Sequence, residues 1–320
     1  MFYFLSVLSF FIYSFLVSKL FLTSMMSSLT NGHFIMSLLK LTVIMFLFYE
    51  IIIEWRVYLK PKKSYLLQRR LTKHDFLVSI SVFLGVFSSY YMNHSFSLGP
   101  VVASSLVGLI GGLLIPSLAV PIYCGSFAGM VSSLLASDPL SIIMIGTFAG
   151  LFYISGSETF KGFGGKLGAT AYFATLLVSI FHDKFSNIMN GGTINIQYDV
   201  FIVFIIGSLG TYFINDRYNI GVVTASSLLG LTFGLILPNV FFNGSALAVA
   251  LFCGTFIGMS TTSKLENWAS VILASAIGTI IYLYTAPYFA GLGGKLGLIA
   301  FGSTITTAGI NNFKAYISKK

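Results

Sequence analysis

Long apolar runs, separated by short groups of polar and charged residues, make up nearly the whole chain. Two runs come first, near residues 2–24 and 34–54, and ten more follow. The ten lie near 76–93, 99–118, 119–136, 140–157, 167–183, 199–214, 218–237, 244–260, 268–287 and 296–313. Because about 20 apolar residues cross a bilayer as a helix, the pattern predicts an all-α integral membrane protein with about twelve apolar segments. Several runs are short or contain Gly and Pro, which predicts that some segments are broken or re-entrant.

The pattern also contains an internal duplication. Residues 90–116 align without a gap with residues 212–238, and the identical positions include Gly, Ser and Pro. Two further blocks repeat in the same order. They are YCGSFAGM (123–130) with FCGTFIGM (252–259), and FKGFGGKLG (160–168) with FAGLGGKLG (289–297). Shared hydrophobicity would match only Leu, Ile, Val and Phe, so the shared Gly, Ser, Cys, Lys and Pro indicate a true repeat.

The duplication divides the chain into an N-terminal two-helix region (1–75), a first membrane repeat (76–185) and a second membrane repeat (199–313). Each repeat holds about five apolar segments. An odd number of crossings would turn the second copy upside down in the membrane, so we predict a 5+5 inverted-repeat bundle behind an N-terminal helix pair.

The distribution of Lys and Arg agrees with this inversion. Residues 55–73 hold seven of the eighteen cations, which marks a cytoplasmic loop. The loops at 94–98 and 137–139, predicted to lie outside, contain no Lys or Arg. Their counterparts in the second repeat, predicted to lie inside, contain Arg217 and Lys264. Both chain termini are therefore predicted to be cytoplasmic.

Composition narrows the class of protein. Of the 320 residues, 56% are hydrophobic and 8% charged, with a mean hydropathy of +0.90, whereas soluble domains carry about 25% charged residues. The net charge of +9 comes largely from the basic loop, so it predicts contact with lipid head groups and no nucleic-acid partner. We expect a bacterial cytoplasmic (inner) membrane protein, with a second copy or another protein as a candidate partner of the N-terminal helix pair.

The strongest candidate for chemistry is the repeated Gly-Gly-Lys-Leu-Gly. Adjacent glycines let the backbone leave helical geometry, and the helix that restarts after them offers unpaired N–H groups and the positive end of its dipole. A lysine there adds a full charge, which favours an anion or a strongly polar group. The predicted substrate-binding residues are Gly164, Gly165, Lys166, Gly293, Gly294 and Lys295. In the alternative interpretation the lysines reach the membrane surface and the glycines serve close packing.

A second candidate is a pair of serines ahead of two glycines in each repeat. Ser104 and Ser105 precede Gly108 and Gly112, and Ser226 and Ser227 occupy the same places in the second repeat. The hydroxyl groups are candidates to line a solute path, so these four serines are also predicted substrate-binding residues. The alternative is a packing seam, because small residues four apart let two helices approach closely. Cys124 and Cys253, in the third block, are also interpreted as packing residues.

Other chemistry finds little support in the sequence. The four histidines lie in loops or at segment ends, without the spacing of a zinc site. No nucleotide-binding loop or catalytic triad motif is present. We therefore predict no metal, no cofactor and no enzymatic activity. The acidic residues lie mostly at segment ends, which favours a channel or facilitator over a carrier that is coupled through a buried carboxylate.

The five-plus-five plan resembles that of urea channels and of bile-acid and sodium–proton carriers. LIPS at 114–117 and CGSFAG at 124–129 are similar to pieces of the urea-channel pattern, although in the opposite order, so no functional residues are transferred. The sequence predicts a multi-pass transporter or channel for a small polar or anionic solute, with a central site between the repeats. The alternative is a non-transporting subunit or scaffold of an envelope, secretion or lipid-handling complex.

Overall fold

A computed structural model describes residues 2–69, 71–182 and 198–319, with the side chains of all of them except 60–68. Within these ranges every regular element is helical. The α-helices are α1 (Phe2–Thr30), α2 (Phe34–Gln68), α3 (Lys73–His94), α4 (Pro100–Leu114), α5 (Ala119–Ala128), α6 (Pro139–Ser155), α7 (Lys166–Phe181), α8 (Asp199–Tyr218), α9 (Val222–Val240), α10 (Gly244–Gly258), α11 (Trp268–Thr285) and α12 (Lys295–Ser318). Six of the described helices are long and apolar enough to cross a bilayer. The chain is an α-helical membrane protein.

The basic segment differs from the prediction. Residues 55–73 are not a loop, because α2 continues to Gln68 and only a few residues join it to α3. Lys, Arg, Leu and Gln are good helix formers, so an apolar helix that leaves the membrane can continue into water through such a sequence. The apolar part of α2, Phe34–Leu59, still matches the predicted second span.

The two repeated prolines, Pro116 and Pro238, have different places in the two copies. Helix α4 ends at Leu114, and Pro116 begins a short 3-10 turn that leads into α5. Pro238 instead lies in the last turn of α9, which ends at Val240. Helix α5 has ten residues and is shorter than the predicted run 119–136, because Gly129 ends it. The link 184–198 falls mostly outside the described residues.

Equivalent helices of the two repeats pack in the same way. Helix α3 lies against α5, and α8 lies against α10. At the first contact a Cβ added to Gly85 would lie 2.2 Å from the carbonyl oxygen of Ile122. At the second, a Cβ added to Gly207 would lie 2.2 Å from the carbonyl oxygen of Leu251. Each glycine therefore allows a backbone-to-backbone approach that a side chain would prevent.

The two repeats also contact each other through equivalent helices. Along α4 and α9, Gly108 faces the Ser227 hydroxyl and Gly230 faces the Ser105 hydroxyl, so residue numbers rise on one helix as they fall on the other. Helices α7 and α12 meet near their first turns, where a Cβ on Gly168 would lie 2.4 Å from the Cα of Gly297. Both pairs are antiparallel.

The N-terminal helices are part of the same bundle. Helix α1 packs on α2, α11, α12, α6 and α7, and α2 packs on α12. Phe21 of α1 fills the space over Gly302 of α12, while the Tyr13 hydroxyl hydrogen-bonds Thr170 of α7 at 2.7 Å. A single core of buried apolar side chains joins α1 and α2 to both repeats.

Candidate functional site

The two Gly-Gly-Lys sequences form the same turn. Gly165 and Gly294 adopt left-handed backbone conformations, with φ of 81° and 82°, and α7 and α12 begin at the lysine that follows each. Only glycine takes up such a φ without strain. The residues before the turns match as well, since Phe160 and Phe289 also have positive φ, at 45° and 57°. The sequence therefore predicted the local geometry of both turns.

Each turn rests on the first helical turn of the other repeat. A Cβ on Gly165 would lie 2.3 Å from the carbonyl oxygen of Gly297, and one on Gly294 would lie 2.2 Å from that of Gly168. Two cross-repeat hydrogen bonds hold the glycine carbonyls: Thr175 donates to Gly293 at 3.0 Å and Thr304 to Gly164 at 3.2 Å. The two motifs thus meet at the crossing of α7 and α12.

The two lysines reach back to backbone carbonyls near the ends of the preceding helices. The Lys166 ammonium donates to the carbonyl oxygen of Thr159 at 2.5 Å and lies 3.5 Å from that of Ser157, beyond the end of α6. The Lys295 ammonium donates to Thr285, Tyr288 and Ala286 at 2.7, 2.6 and 3.1 Å. A cation there stabilises the negative end of the helix dipole and satisfies carbonyl groups that the helix leaves unpaired.

A cavity of about 270 Å³ opens beside the first turn. Its walls come from α1, from both repeats and from the turn itself. They comprise Tyr13, Val120, Phe127, Tyr153, Ser157, Lys161, Gly162, Phe163, Gly164, Gly165, Lys166, Leu167, Thr170, Val222, Phe256 and Met259. Two lysines and three hydroxyl-bearing residues of the first repeat (Tyr153, Ser157 and Thr170) line it, and no carboxylate is among the lining residues. The cavity is therefore suited to a polar or anionic solute more than to a cation.

Four aromatic rings pack together beside this cavity, and two of them, those of Phe127 and Phe256, line it. Tyr123 and Phe127 of α5 face Phe252 and Phe256 of α10, and we call these four residues the aromatic cluster. The rings of Phe127 and Phe256 have centroids 4.5 Å apart, and all four side chains are almost completely buried. The Tyr123 hydroxyl lies 2.9 Å from the Ser226 hydroxyl, which donates to Thr255. The aromatic cluster therefore joins α5 and α10 beside the cavity.

Charged side chains surround the turn that carries the cavity. Glu158 pairs with Lys161 at 2.9 Å, and Arg69 lies 4.0 Å from the same carboxylate. Glu54 of α2 pairs with Lys264, whose ammonium lies 4.5 Å from the centroid of the Phe163 ring. The predicted cytoplasmic segments, which are the end of α2 and the loop 261–267, therefore lie close to the turn 156–165.

The structure brings some of the predicted site residues to this cavity and places the others elsewhere. Gly164, Gly165 and Lys166 line it. Gly293, Gly294 and Lys295 do not, although they form the equivalent turn on the other side of the crossing.

The four predicted serines are completely buried at the helix contacts and do not line the cavity. The Ser104 hydroxyl lies 2.9 Å from that of Ser126, and Ser226 bonds Thr255 as described above. The hydroxyls of Ser105 and Ser227 fill the space over the glycines of the facing helix, at Gly230 and Gly108. These contacts are the ones expected of a packing seam.

Sequence reasoning identified Gly164, Gly165 and Lys166 and missed the other lining residues, among them Tyr13, Phe127 and Phe256. Tyr13 comes from α1, outside the repeat, and nothing in the pattern connects it with the first turn. Phe127 and Phe256 occupy equivalent positions in the repeated Cys-Gly-Ser/Thr-Phe block, so the duplication was a signal that could have identified them.

Among the described residues, no group of three or more His, Cys, Asp or Glu side chains is placed to hold a metal ion. Comparison with known proteins gives no relative, since no family model, no curated protein and no solved structure matches the chain.

Proposed function

We propose that the protein is a transporter or channel of the bacterial cytoplasmic membrane that moves a small polar or anionic solute. The observation that carries this proposal is the cavity: residues of both repeats line it, two lysines lie in its wall, and Phe127 and Phe256 of the aromatic cluster form part of the same wall. A membrane protein that served only as a scaffold would not need a polar cavity inside its apolar core, since an ammonium in apolar surroundings costs about 2.5–3.5 kcal/mol.

The antiparallel contacts between repeats support an inverted 5+5 arrangement. A two-fold axis that relates antiparallel helices is perpendicular to them, so it lies in the membrane plane when the helices cross the membrane. The pairs α4–α9 and α7–α12 are both antiparallel, because residue numbers along each contact rise on one helix and fall on the other. The pairing of Glu54 with Lys264 and the position of Arg69 near Glu158 gather predicted cytoplasmic segments at one end. The cavity then faces the cytoplasm.

The same arrangement sets the depth of the two lysines. Helices α7 and α12 cross at Gly168 and Gly297. Lys166 and Lys295 lie two residues before these glycines, which corresponds to about 3 Å along a helix. If the crossing marks the centre of the bilayer, both ammonium groups lie deep in the hydrocarbon region, which is about 30 Å thick. We infer that Lys166 faces the solute in the cytoplasm-facing state and that Lys295 takes this place when the second repeat opens outward.

The solute is small. The cavity volume of about 270 Å³ lies just below the usual range of about 300–1,000 Å³ for ligand pockets. At ~30 Å³ for each water molecule it corresponds to roughly nine waters, so a solute of roughly ten non-hydrogen atoms fills it. The lining combines aromatic and aliphatic walls with the ammonium groups of Lys161 and Lys166 and the hydroxyls of Ser157 and Thr170. This lining is suited to a compact monovalent anion or to a neutral molecule with several hydrogen-bonding groups.

Flux through proteoliposomes tests the proposal. Purified protein is reconstituted, and uptake of chloride, nitrate, formate, acetate, phosphate, urea and glycerol is compared with that of empty vesicles. We expect Lys166→Met and Lys295→Met each to lower the flux of the transported solute about tenfold, the factor that corresponds to losing a charge-assisted hydrogen bond of ~1.5 kcal/mol. Lys314→Met, at an exposed position of α12, is the control and should transport normally.

Two results would contradict the proposal. One is flux equal to that of empty vesicles for the whole panel, which would favour the non-transporting subunit as the alternative. The other is normal flux by folded Lys166→Met and Lys295→Met proteins, which would leave the two lysines with the carbonyl-capping role alone.

A further inference from the structure

A groove on the outer surface of the bundle is distinct from the transport cavity. It lies between α1 and α3, with α6 and Phe173 of α7 as its floor, and it has a volume of about 1020 Å³. Its walls are mostly apolar. Leu5 and Leu8 of α1, Phe76 of α3 and Leu151 of α6 are among the lining residues, and 39–70% of their surface is exposed. An apolar groove of this size in a membrane protein faces lipid.

The groove is polar at one end only. Arg69, Thr72 and Asp75 line this end, and the Arg69 guanidinium lies 4.2 Å from the centroid of the Phe2 ring. Arg69 donates to Asp75 at 2.9 Å and to Ser157 at 3.2 Å. A guanidinium carries five N–H donors, so these two bonds leave donors for a further acceptor. The Asp75 carboxylate is already bonded by Arg69 and by the backbone N–H and hydroxyl of Thr72.

The length of the groove matches one leaflet of a bilayer. Along α1 it extends from Phe2, beside Arg69, to Ile12. Ten residues of helix correspond to about 15 Å, which is half of the roughly 30 Å hydrocarbon thickness. The polar end lies at the basic segment 55–73, which is predicted to be cytoplasmic. The groove therefore spans the inner leaflet, with its polar end at the level of the head groups.

The charge around the polar end selects the head group. Residues 55–74 contain seven cations and no Asp or Glu. Lys73 and His74, at the start of α3, are exposed next to the lining residues Thr72 and Asp75. The carboxylates near Arg69 are already paired within the protein, so the remaining positive field favours an anionic head group. A basic site between helices on the cytoplasmic side is a recognised setting for anionic lipids.

We propose that this groove binds one anionic phospholipid of the inner leaflet, with its acyl chains between α1 and α3 and its phosphate at Arg69. The proposal does not depend on the transported solute. In this arrangement the basic segment binds the lipid phosphate, and the lipid lies between the N-terminal helix and the first repeat. The lipid covers the apolar side chains that the fold leaves open at this place.

Lipid titration of the full-length protein tests the proposal. The protein is purified in a mild detergent, washed free of lipid and titrated with dioleoyl phosphatidylglycerol or dioleoyl phosphatidylcholine, and bound lipid is counted by native mass spectrometry. We expect one phosphatidylglycerol to bind about fivefold tighter than phosphatidylcholine, the factor that corresponds to ~1 kcal/mol for one charge near the surface. Arg69→Gln should remove this preference, whereas Arg217→Gln, an exposed arginine at the end of α8, should keep it.

A second pair of variants tests the groove without changing charge. Leu5→Trp fills the groove from α1 and should lower the affinity for both lipids at least fivefold. Leu29→Trp makes the same change on the same helix at a position of similar exposure, 38% against 39%, outside the groove, and should bind normally. The two tryptophan variants still test lipid binding in the groove if the Arg69→Gln protein fails to fold. Equal binding of the two lipids by the unaltered protein, or unchanged binding by Leu5→Trp, would overturn the proposal.

Discussion

The crossing of α7 and α12 offers a sharp test of how the two repeats are joined. Gly168 and Gly297 face each other there, and a Cβ on either would lie 2.4 Å from the Cα of the other. Non-bonded carbon atoms prefer about 3.5–4.0 Å, so an added methyl group must push the helices apart by about 1 Å. Backbone atoms lie on both sides of the contact, and no flexible side chain can move aside.

We therefore expect Gly168→Ala and Gly297→Ala to destabilise the protein. Overpacking typically costs about 1–3 kcal/mol, and we expect the upper end here because only backbone atoms surround the contact. Subtracting the ~1 kcal/mol that alanine gains over glycine in a helix interior leaves a net loss of about 2 kcal/mol. At about 2 °C per kcal/mol, the low end of the range for chains of 150–250 residues, the melting temperature should fall by about 4 °C. The two variants should shift it equally, because their contacts mirror each other.

The chain contains its own reporter for this measurement. Cys124 and Cys253 are the only two cysteines in the sequence, and both are completely buried, so a fluorogenic thiol dye reacts as the protein unfolds. Gly111→Ala is the matched control. The three nearest neighbours of its added Cβ would be side-chain atoms of Ile122, at 3.2–3.4 Å, with no backbone atom among them, so this variant should melt close to the temperature of the unaltered protein.

The double variant adds information about the contact itself. Because Gly168 and Gly297 touch, their effects should not add, and a coupling of at least ~0.5 kcal/mol is expected. If both single variants melted like the unaltered protein while Gly111→Ala did the same, the backbone approach at this crossing would be refuted. The argument for a site between the two turns would then lose its geometric basis.

Two further predictions concern the N-terminal helix and the orientation of the repeats. Tyr13→Phe and Thr170→Val should each cost about 1 kcal/mol by the same dye assay, and the double variant should cost less than their sum, because the two hydroxyls bond each other at 2.7 Å. Ser97 and Asn219 are exposed, equivalent positions with positive φ in the two repeats. In an otherwise cysteine-free protein, a membrane-impermeant maleimide should label Ser97→Cys only from outside and Asn219→Cys only from inside. Labelling of both from the same side would contradict the inversion.

The sequence predicted features whose cause is local. Apolar runs of sufficient length predicted the helices, and the Gly-Gly-Lys pattern predicted that the backbone leaves helical geometry at the glycines and that a helix starts after them. The spacing of Ser105 and Gly108 gave the close approach of α4 to another helix. These features follow from the backbone freedom of glycine and from helical periodicity, which act over a few residues.

Features that depend on contacts between separate segments of the chain could not be predicted from the sequence pattern. The lysine of each turn was interpreted as a ligand or a surface anchor, whereas its nearest acceptors are carbonyl groups seven or more residues earlier in the chain, at Thr159 and Tyr288. The helical continuation of α2 through the basic segment was missed, because a run of charged residues indicates where a helix leaves the membrane and does not indicate where the helix ends. No sequence pattern linked α1 to the crossing of α7 and α12.

The surroundings of the two turns differ between the copies. The turn itself is identical at Gly-Gly-Lys-Leu-Gly in both repeats. Around it, three polar residues that line the cavity in the first repeat are replaced by apolar ones in the second. The replacements are Ser157 by Ala286, Lys161 by Ala290 and Thr170 by Ile299.

Helix α1 adds to this asymmetry, since it belongs to neither repeat. It stacks Phe10 on Phe160 beside the first turn, with ring centroids 4.6 Å apart, and holds the ammonium of Lys19 6.0 Å from the Phe289 ring beside the second. A duplication begins with two equal halves. Polar substitutions confined to one copy, and a helix that contacts the two copies through different residues, make the surroundings of the two turns different while the close glycine contacts of the crossing stay the same.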